Sequence, residues 1–126
     1  MLSLGLQRFV RRNIVSVEQL EILLLLFDDP AKGWRADEIS RRLRSSMTSV
    51  AKRLGDLSRR RLIVEENGNY CYVCDDRIDE QLEELRAAYQ VSPSRVIDLI
   101  FSESDAALSS FADAFRLRPE DSDRDR

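Results

Sequence analysis

The sequence predicts a mainly α-helical fold that contains one β-hairpin. Apolar residues recur at helical spacing through most of the first 60 positions, the pair Asn67-Gly68 separates two β-rich segments, and helical spacing returns from Ile78 onwards. The chain has 126 residues, of which 43% are hydrophobic and 34% charged. That length fits one domain, and that composition is typical of a globular protein with long, solvated helices.

The first clear helix begins at Ser16, which is followed three residues later by Gln19 at the spacing of a capping box. Asp28-Asp29-Pro30 ends it. The second half of this helix, Ile22 to Phe27, is apolar all round, so we expect other parts of the chain to bury it on more than one side. This apolar run is too short to cross a bilayer, which takes about 20 residues.

Two further helices and a hairpin follow. The spacing predicts a short helix over about residues 35–43, a break at Ser45-Ser46 that supplies a new N-cap, and a helix from about Met47 to Arg60. The segments "LIVEE" and "NYCYVC" then read as strands. Asn67-Gly68 between them predicts a two-residue type I′ turn, because both central positions of that turn need positive φ.

The C-terminal part of the chain returns to helical spacing. Ser92-Pro93 resembles an N-cap followed by proline at the first helical position, "DAALSSFADAF" is a last helical piece, and "RPEDSDRDR" is typical of a disordered, charged tail. We therefore expect a first domain over residues 1–76, C-terminal helices over 77–117 and a disordered tail over 118–126.

The composition excludes several functional classes. With no histidine in the chain, a Ser/His/Asp or Cys/His nucleophilic pair cannot be built and no imidazole can ligate a metal. We therefore predict a protein that is not an enzyme and that uses neither a metal nor a cofactor. The arginines of the N-terminus follow its apolar residues, which is the wrong order for an export signal, and with only two cysteines this indicates a cytoplasmic protein.

The two cysteines, Cys71 and Cys74, form a CxxC pair within the second predicted strand. Residues three apart in an extended strand point to opposite faces and lie about 10 Å apart, whereas a disulfide needs Cα atoms within about 7 Å. We expect Cys71 to pair with Val64 across the hairpin and to be a buried structural thiol. A thiol sensor at these two positions is a weaker alternative.

Charge is distributed unevenly along the chain. Eight basic residues and one acidic residue lie between Arg41 and Arg61, a net charge of +7, whereas residues 62–126 carry a net charge of −9 and the whole chain −3. Binding to phosphate depends on the local patch rather than on overall charge. This concentration of basic residues on two consecutive helices therefore indicates a nucleic-acid contact.

Helix, helix, helix, β-hairpin and further helices is the layout of the winged helix-turn-helix. The segment from Val17 to Val73 resembles the winged-helix domains of bacterial transcription regulators of the MarR and ArsR type. The resemblance lies in the helix "ADEISRRL", the Ser45-Ser46 turn, the helix "TSVAKRLGDLSRRRLI" and the wing "ENGNY". It implies that the helix Met47 to Arg60 docks in the major groove of duplex DNA and that the wing touches the flanking backbone or the minor groove.

The predicted DNA-binding residues follow from the helix geometry. If Val50, Leu54 and Leu57 face the core, the hydroxyl and cationic side chains of this helix point outwards. Hydroxyls near a helix N-terminus can bind phosphate, and long cationic side chains reach base edges. The predicted contacts, including those from the preceding helix and turn, are Ser46, Thr48, Ser49, Lys52, Arg53, Arg41, Arg42 and Arg44.

The wing departs from the usual pattern, because its tip "EENGN" carries Glu65 and Glu66, which phosphate repels. The alternative function is therefore a protein-docking module that has kept the fold and binds a protein partner, such as the transcription machinery, without reading DNA.

The C-terminal helices allow two interpretations. They either cover the apolar back of the first helix within one chain or form a two-fold homodimer, as regulators of this resemblance usually do. The sequence favours the homodimer, since so small a domain carries so much apolar helix. The predicted interface residues are Leu82, Leu85, Tyr89, Val96, Ile100, Phe111 and Phe115.

Overall fold

The fold is seen in a computed structural model that describes residues 2–101. Along the chain lie α1 (Leu4–Asn13), α2 (Val17–Asp28), β1 (Trp34–Arg35), α3 (Ala36–Leu43), α4 (Met47–Arg59), β2 (Ile63–Glu66), β3 (Asn69–Tyr72) and α5 (Asp76–Val91). Residues 93–101 are helical as well. This architecture confirms the predicted fold class. None of the helices within residues 2–101 combines the length and the apolar character needed to cross a membrane.

Helix α1 is an element that the sequence reasoning missed. The Ser3 hydroxyl caps its N-terminus by accepting a hydrogen bond from the backbone N–H of Leu6 at 3.1 Å. Leu6, Phe9 and Val10 form its buried face. Helix α1 packs against α5, so the N-terminal segment belongs to the same core as the C-terminal helix.

Helix α2 lies at the centre of the core, as its apolar second half predicts. It packs against α4, β3 and α5. Its Phe27 ring meets the Tyr72 ring of β3 edge to face, with centroids 5.1 Å apart. Its buried apolar side chains, each at most 8% exposed, are those of Leu20, Ile22, Leu23, Leu24, Leu26 and Phe27.

The hairpin forms with the predicted turn and register. Asn67 and Gly68 both have positive φ, at 54° and 82°, which is the type I′ geometry. Val64 pairs with Cys71, as expected from a two-residue turn. The sequence pattern does not predict the two-residue strand β1. This strand pairs with the edge of β3 that faces away from β2, so the sheet order is β1-β3-β2.

Helix α5 and the helical residues 93–101 complete the core of the single chain. Leu82, Leu85 and Val96 are fully buried and Ile100 is 2% exposed. The hydroxyl of Tyr72 donates a hydrogen bond to the Asp79 carboxylate at 2.6 Å, which joins the sheet to α5. Apolar residues on both sides of residue 76 share one core cluster. The expected boundary between a first domain (1–76) and C-terminal helices (77–117) stays a prediction. Residues 102–117 and the tail 118–126 lie outside the described residues.

Candidate nucleic-acid interface

A residue with a left-handed backbone conformation forms the corner between α3 and α4. Arg44 follows α3 with φ of 57° and ψ of 42°, and its backbone N–H bonds to the carbonyl of Ser40. Ser46 then caps α4, its hydroxyl accepting a hydrogen bond from the backbone N–H of Ser49 at 3.1 Å. This tight corner projects the Arg44 side chain into solvent beside the N-terminus of α4.

Three cations at or close to this corner have no carboxylate partner among residues 2–101. Arg42, Arg44 and Lys52 are exposed, and Thr48, one turn before Lys52, is exposed too. The ion pairs found within residues 2–101 involve other basic residues. Met47 adds an apolar side chain, 49% exposed, to the same helix turn. The end of α3, the corner and the N-terminal half of α4 thus present exposed cations together with a hydroxyl and a thioether.

Arg41 differs from these three because it has an ion-pair partner. Its guanidinium lies 3.2 Å from the Asp37 carboxylate one turn earlier on α3. The Arg41 side chain is 72% exposed, so this is a surface pair of the kind that contributes little to stability. Phosphate can therefore compete for Arg41 at small cost.

Ser49 and Arg53 are turned towards α2 rather than outwards, which differs from the expectation. The Glu18 carboxylate of α2 accepts a hydrogen bond from the Ser49 hydroxyl and another from Arg53 Nε, the latter at 3.2 Å. The Arg53 and Glu18 side chains are only 24% and 20% exposed. Burial acts to raise the pKa of Glu18, but the hydrogen bonds from Ser49, Ser45 and Arg53 outweigh it, so that its pKa is lowered.

A second polar contact joins α2 to the other half of α4. The fully buried Gln19 side chain donates to the Asp56 carboxylate at 2.6 Å and accepts from the backbone N–H of Val15 at 2.9 Å. Arg60 Nε donates to the same carboxylate at 2.8 Å. Although burial acts to raise the pKa of Asp56, the hydrogen bonds from Arg60 and Gln19 and the charges of Arg60 and Arg59 lower it.

Glu18 and Gln19 therefore hold helix α4 against α2 at two points, and the sequence pattern predicts neither contact. Both residues stand in the first turn of α2, before its apolar run. Their partners Ser49, Arg53 and Asp56 lie 31 to 37 positions away in the sequence. The available signal was the presence of two polar residues at the start of a helix that is otherwise buried.

The wing tip does not extend the positive surface. Glu65, Glu66 and Asn67 are exposed at the end of the hairpin. Behind them, burial raises the pKa of Tyr70, and the charge of Glu65 adds to this effect. The wing tip therefore presents negative charge where the N-terminal half of α4 presents positive charge.

The residues expected at a dimer interface take two kinds of position. Leu82, Leu85, Val96 and Ile100 are buried in the core of the single chain. Tyr89 is half-buried, and its hydroxyl donates to the Glu21 carboxylate at 3.0 Å. Phe111 and Phe115 lie outside the described residues. The exposed apolar side chains beside this region are those of Val91, Phe101 and Leu4, at 85%, 55% and 70% exposure.

The cysteines are both free thiols. Cys71 is half-buried in β3 and not fully buried as expected, and Cys74 is exposed just after it. Their positions differ, since Cys71 belongs to the sheet and Cys74 lies in the connection to α5. Within residues 2–101, no group of three potential ligand side chains could hold a metal ion.

Comparison with known proteins supports the fold. No family model matches the chain, and no curated protein matches it. A solved structure does match, that of MepR, a transcription regulator of the Staphylococcus aureus multidrug efflux pump MepA. The two share 17% sequence identity with a TM-score of 0.53, and the match covers 89% of this chain and 88% of MepR. This chain has a winged-helix fold. At so low an identity the likeness concerns the fold alone.

Proposed function

We propose that this protein is a DNA-binding transcription regulator that reads duplex DNA with helix α4. The observation that carries the proposal is a set of three exposed cations on α3, the corner and α4, namely Arg42, Arg44 and Lys52, which have no carboxylate partner in the described part of an acidic chain. Unpaired cations attract phosphate because binding releases the counterions condensed on DNA. The winged-helix fold shared with a transcription regulator supports the same function.

The proposed contacts to DNA are of two kinds, to backbone phosphates and to base edges. Arg42 and Arg44 flank the start of α4 and bind backbone phosphates, as does the exchangeable Arg41. Lys52 and Thr48 lie on the outer face of α4 and reach base edges or phosphates. Ser46 and the helix N-terminus add donors for phosphate. Ser49 and Arg53 remain candidate contacts, although their bonds to Glu18 must be shared with DNA.

The finer parts of the proposal are a bacterial homodimer, as the sequence resemblance implies, and a cytoplasmic location, as the N-terminal pattern and the two cysteines indicate. Leu82, Leu85, Val96 and Ile100 are buried within one chain, so we propose that a second copy contacts other side chains. Direct contacts come from the exposed apolar side chains Val91, Phe101 and Leu4.

Selection of bound duplexes from fragmented genomic DNA at moderate salt tests the function. We expect the wild type to enrich a small set of fragments and Lys52→Gln to lose that enrichment. Absence of duplex binding at low salt would rule out the proposed function. Capture of a protein partner that is unaffected by Lys52→Gln would then favour the docking alternative, for which the acidic wing tip Glu65-Glu66 is the motivation.

A further inference from the structure

A second basic surface lies away from the N-terminal half of α4, in a groove between α1 and the first turns of α5. The groove has a volume of about 670 Å³, and Phe9 and Ile78 contribute its apolar lining. Arg8, Arg12 and Arg77 line it, together with Arg11. The sequence pattern does not reveal this groove, because Arg77 lies about 65 positions from Arg12 along the chain.

Three of the arginines that line the groove have no carboxylate partner among the described residues. Within residues 2–101, no Asp or Glu is among the residues that line it. Arg8, Arg12 and Arg77 are exposed, and the ion pairs of the described part of the chain do not include them. In a chain with a net charge of −3, such a site is selective for anions.

Arg77 is the arginine of the groove that stands least favourably on its own helix. Arg12 stands in the last turn of α1, where a cation favours the helix dipole. Arg77 stands in the first turn of α5, where a cation opposes the dipole, although the acidic Asp76 and Asp79 share that turn. A bound anion across the groove from Arg8 would compensate this unfavourable position.

The groove is joined to the proposed recognition helix. The guanidinium of Arg60, just after α4, donates to the backbone carbonyl of Arg12 at the end of α1. Helix α4 has 13 residues and is therefore about 20 Å long. Since a duplex carries about one charge per 1.7 Å of its axis, DNA that lies along α4 presents phosphates near both of its ends.

From these observations we propose that the groove of Arg8, Arg12 and Arg77 is a second phosphate-binding surface, which holds the backbone of the duplex next to the stretch read by α4. This inference rests on the proposed function. Guanidinium groups suit this task because they bind phosphate oxygens in pairs. The surface takes over the backbone contact that the acidic wing tip, with Glu65 and Glu66, does not supply.

Titration of the full chain against a duplex of about 30 base pairs, at several salt concentrations, tests the inference. Arg8→Gln and Arg77→Gln are each compared with Arg95→Gln, which removes another exposed cation that lies outside both basic surfaces. We expect Arg8→Gln and Arg77→Gln each to weaken binding roughly five- to tenfold at 0.1 M salt and to reduce the slope of log K against log salt by about 1. Arg95→Gln should change neither quantity.

Weaker DNA binding by Arg77→Gln cannot be attributed to unfolding of the variant. The substitution removes a cation that opposes the dipole of α5, so the melting temperature should be unchanged or higher. Wild-type affinity and slope in both variants would overturn the inference. So would tighter binding, which would show that an acidic segment of the chain occupies the groove and competes with DNA. Lys52→Gln, measured in parallel, separates the two proposals: if it alone weakens binding, the proposed function stands and the second surface does not.

Discussion

The Glu18 carboxylate on α2 accepts a hydrogen bond from Arg53 Nε on α4 at 3.2 Å and another from the Ser49 hydroxyl. This single carboxylate orients two side chains that lie one turn apart on the helix we propose to read DNA. Because Arg53 uses its Nε for Glu18, its guanidinium is held in one plane. The relationship therefore concerns stability first and DNA contact second.

Replacing Glu18 with glutamine should destabilise the fold by about 1–2 kcal/mol. Hydrogen bonds to charged groups contribute about 1.5–3 kcal/mol, and glutamine keeps the shape of the acceptor but loses its charge. Urea unfolding followed by circular dichroism measures the change. Glu83→Gln is the matched control, because Glu83 also pairs with an arginine, Arg86, but is 64% exposed and should contribute well under 1 kcal/mol. Equal unfolding midpoints for the two variants would contradict this account.

Acid should weaken the contact between α2 and α4. The pKa values of Glu18 and Asp56 are both lowered in the folded chain. The two carboxylates therefore stabilise the fold fully at a pH above their pKa values in the unfolded chain, about 4.3 for Glu and about 3.9 for Asp. This stabilisation is lost as the pH falls through their lower pKa values in the folded chain. We expect the free energy of unfolding to fall below about pH 4 in the wild type and to fall less steeply in a Glu18→Gln, Asp56→Asn variant. Parallel pH profiles for the two proteins would show that these carboxylates are not responsible.

Part of the fold could be predicted because its signals are local. Asn67-Gly68 determines the turn and the Val64–Cys71 register from the conformational needs of four residues. Helix α1 was missed because its three buried residues, Leu6, Phe9 and Val10, make a short pattern in a segment flanked by arginines. Strand β1 has two residues, too few for any alternation to be visible.

For the candidate site, the sequence predicts the core-facing side of α4 but not the contacts that its other side chains make. Periodicity correctly puts Val50, Leu54 and Leu57 in the core. It does not tell which neighbouring helix meets the flanks of α4, so Ser49 and Arg53 were expected outside although Glu18, 31 and 35 positions away, holds them. Likewise, the apolar stripe of Leu82 and Leu85 has the same spacing whether its cover comes from the same chain or from a second copy.

Arg44→Gly should raise stability while it weakens DNA binding. Arg44 has a φ of 57°, a left-handed conformation that costs a residue with a side chain about 1–2 kcal/mol and glycine almost nothing. Glycine also has greater conformational entropy in the unfolded chain, which offsets part of this relief. We therefore expect the free energy of unfolding to rise by up to about 1 kcal/mol. Thermal unfolding and a DNA titration on the same sample measure both effects.

Arg61→Gly is the matched control for this substitution. Arg61 also has a left-handed conformation, with φ of 64°, and is exposed, but it stands after the C-terminal end of α4. It should give a similar gain in stability with a smaller loss of DNA affinity than Arg44→Gly. Equal losses of affinity would mean that Arg44 has no special place in the interface.

The dimer proposal predicts which side chains a second copy covers. Val91→Lys and Phe101→Lys should shift the protein from about twice its 14.6 kDa mass to a single chain in light scattering, because each places a charge in the proposed contact. Val15→Lys changes an apolar side chain that is 46% exposed elsewhere and should keep the wild-type mass. A wild type that has the mass of one chain at all concentrations would contradict the dimer.

The most direct test of the central claim is the salt dependence of duplex binding by the wild type and by a Lys52→Gln, Arg44→Gly variant. If the exposed cations at the start of α4 bind DNA, the slope of log K against log salt should be smaller in the variant by about 2, one phosphate contact for each lost charge. The affinity should fall by at least about tenfold at 0.1 M salt, while thermal unfolding remains cooperative. An unchanged slope and affinity in a folded variant would show that this surface does not bind DNA.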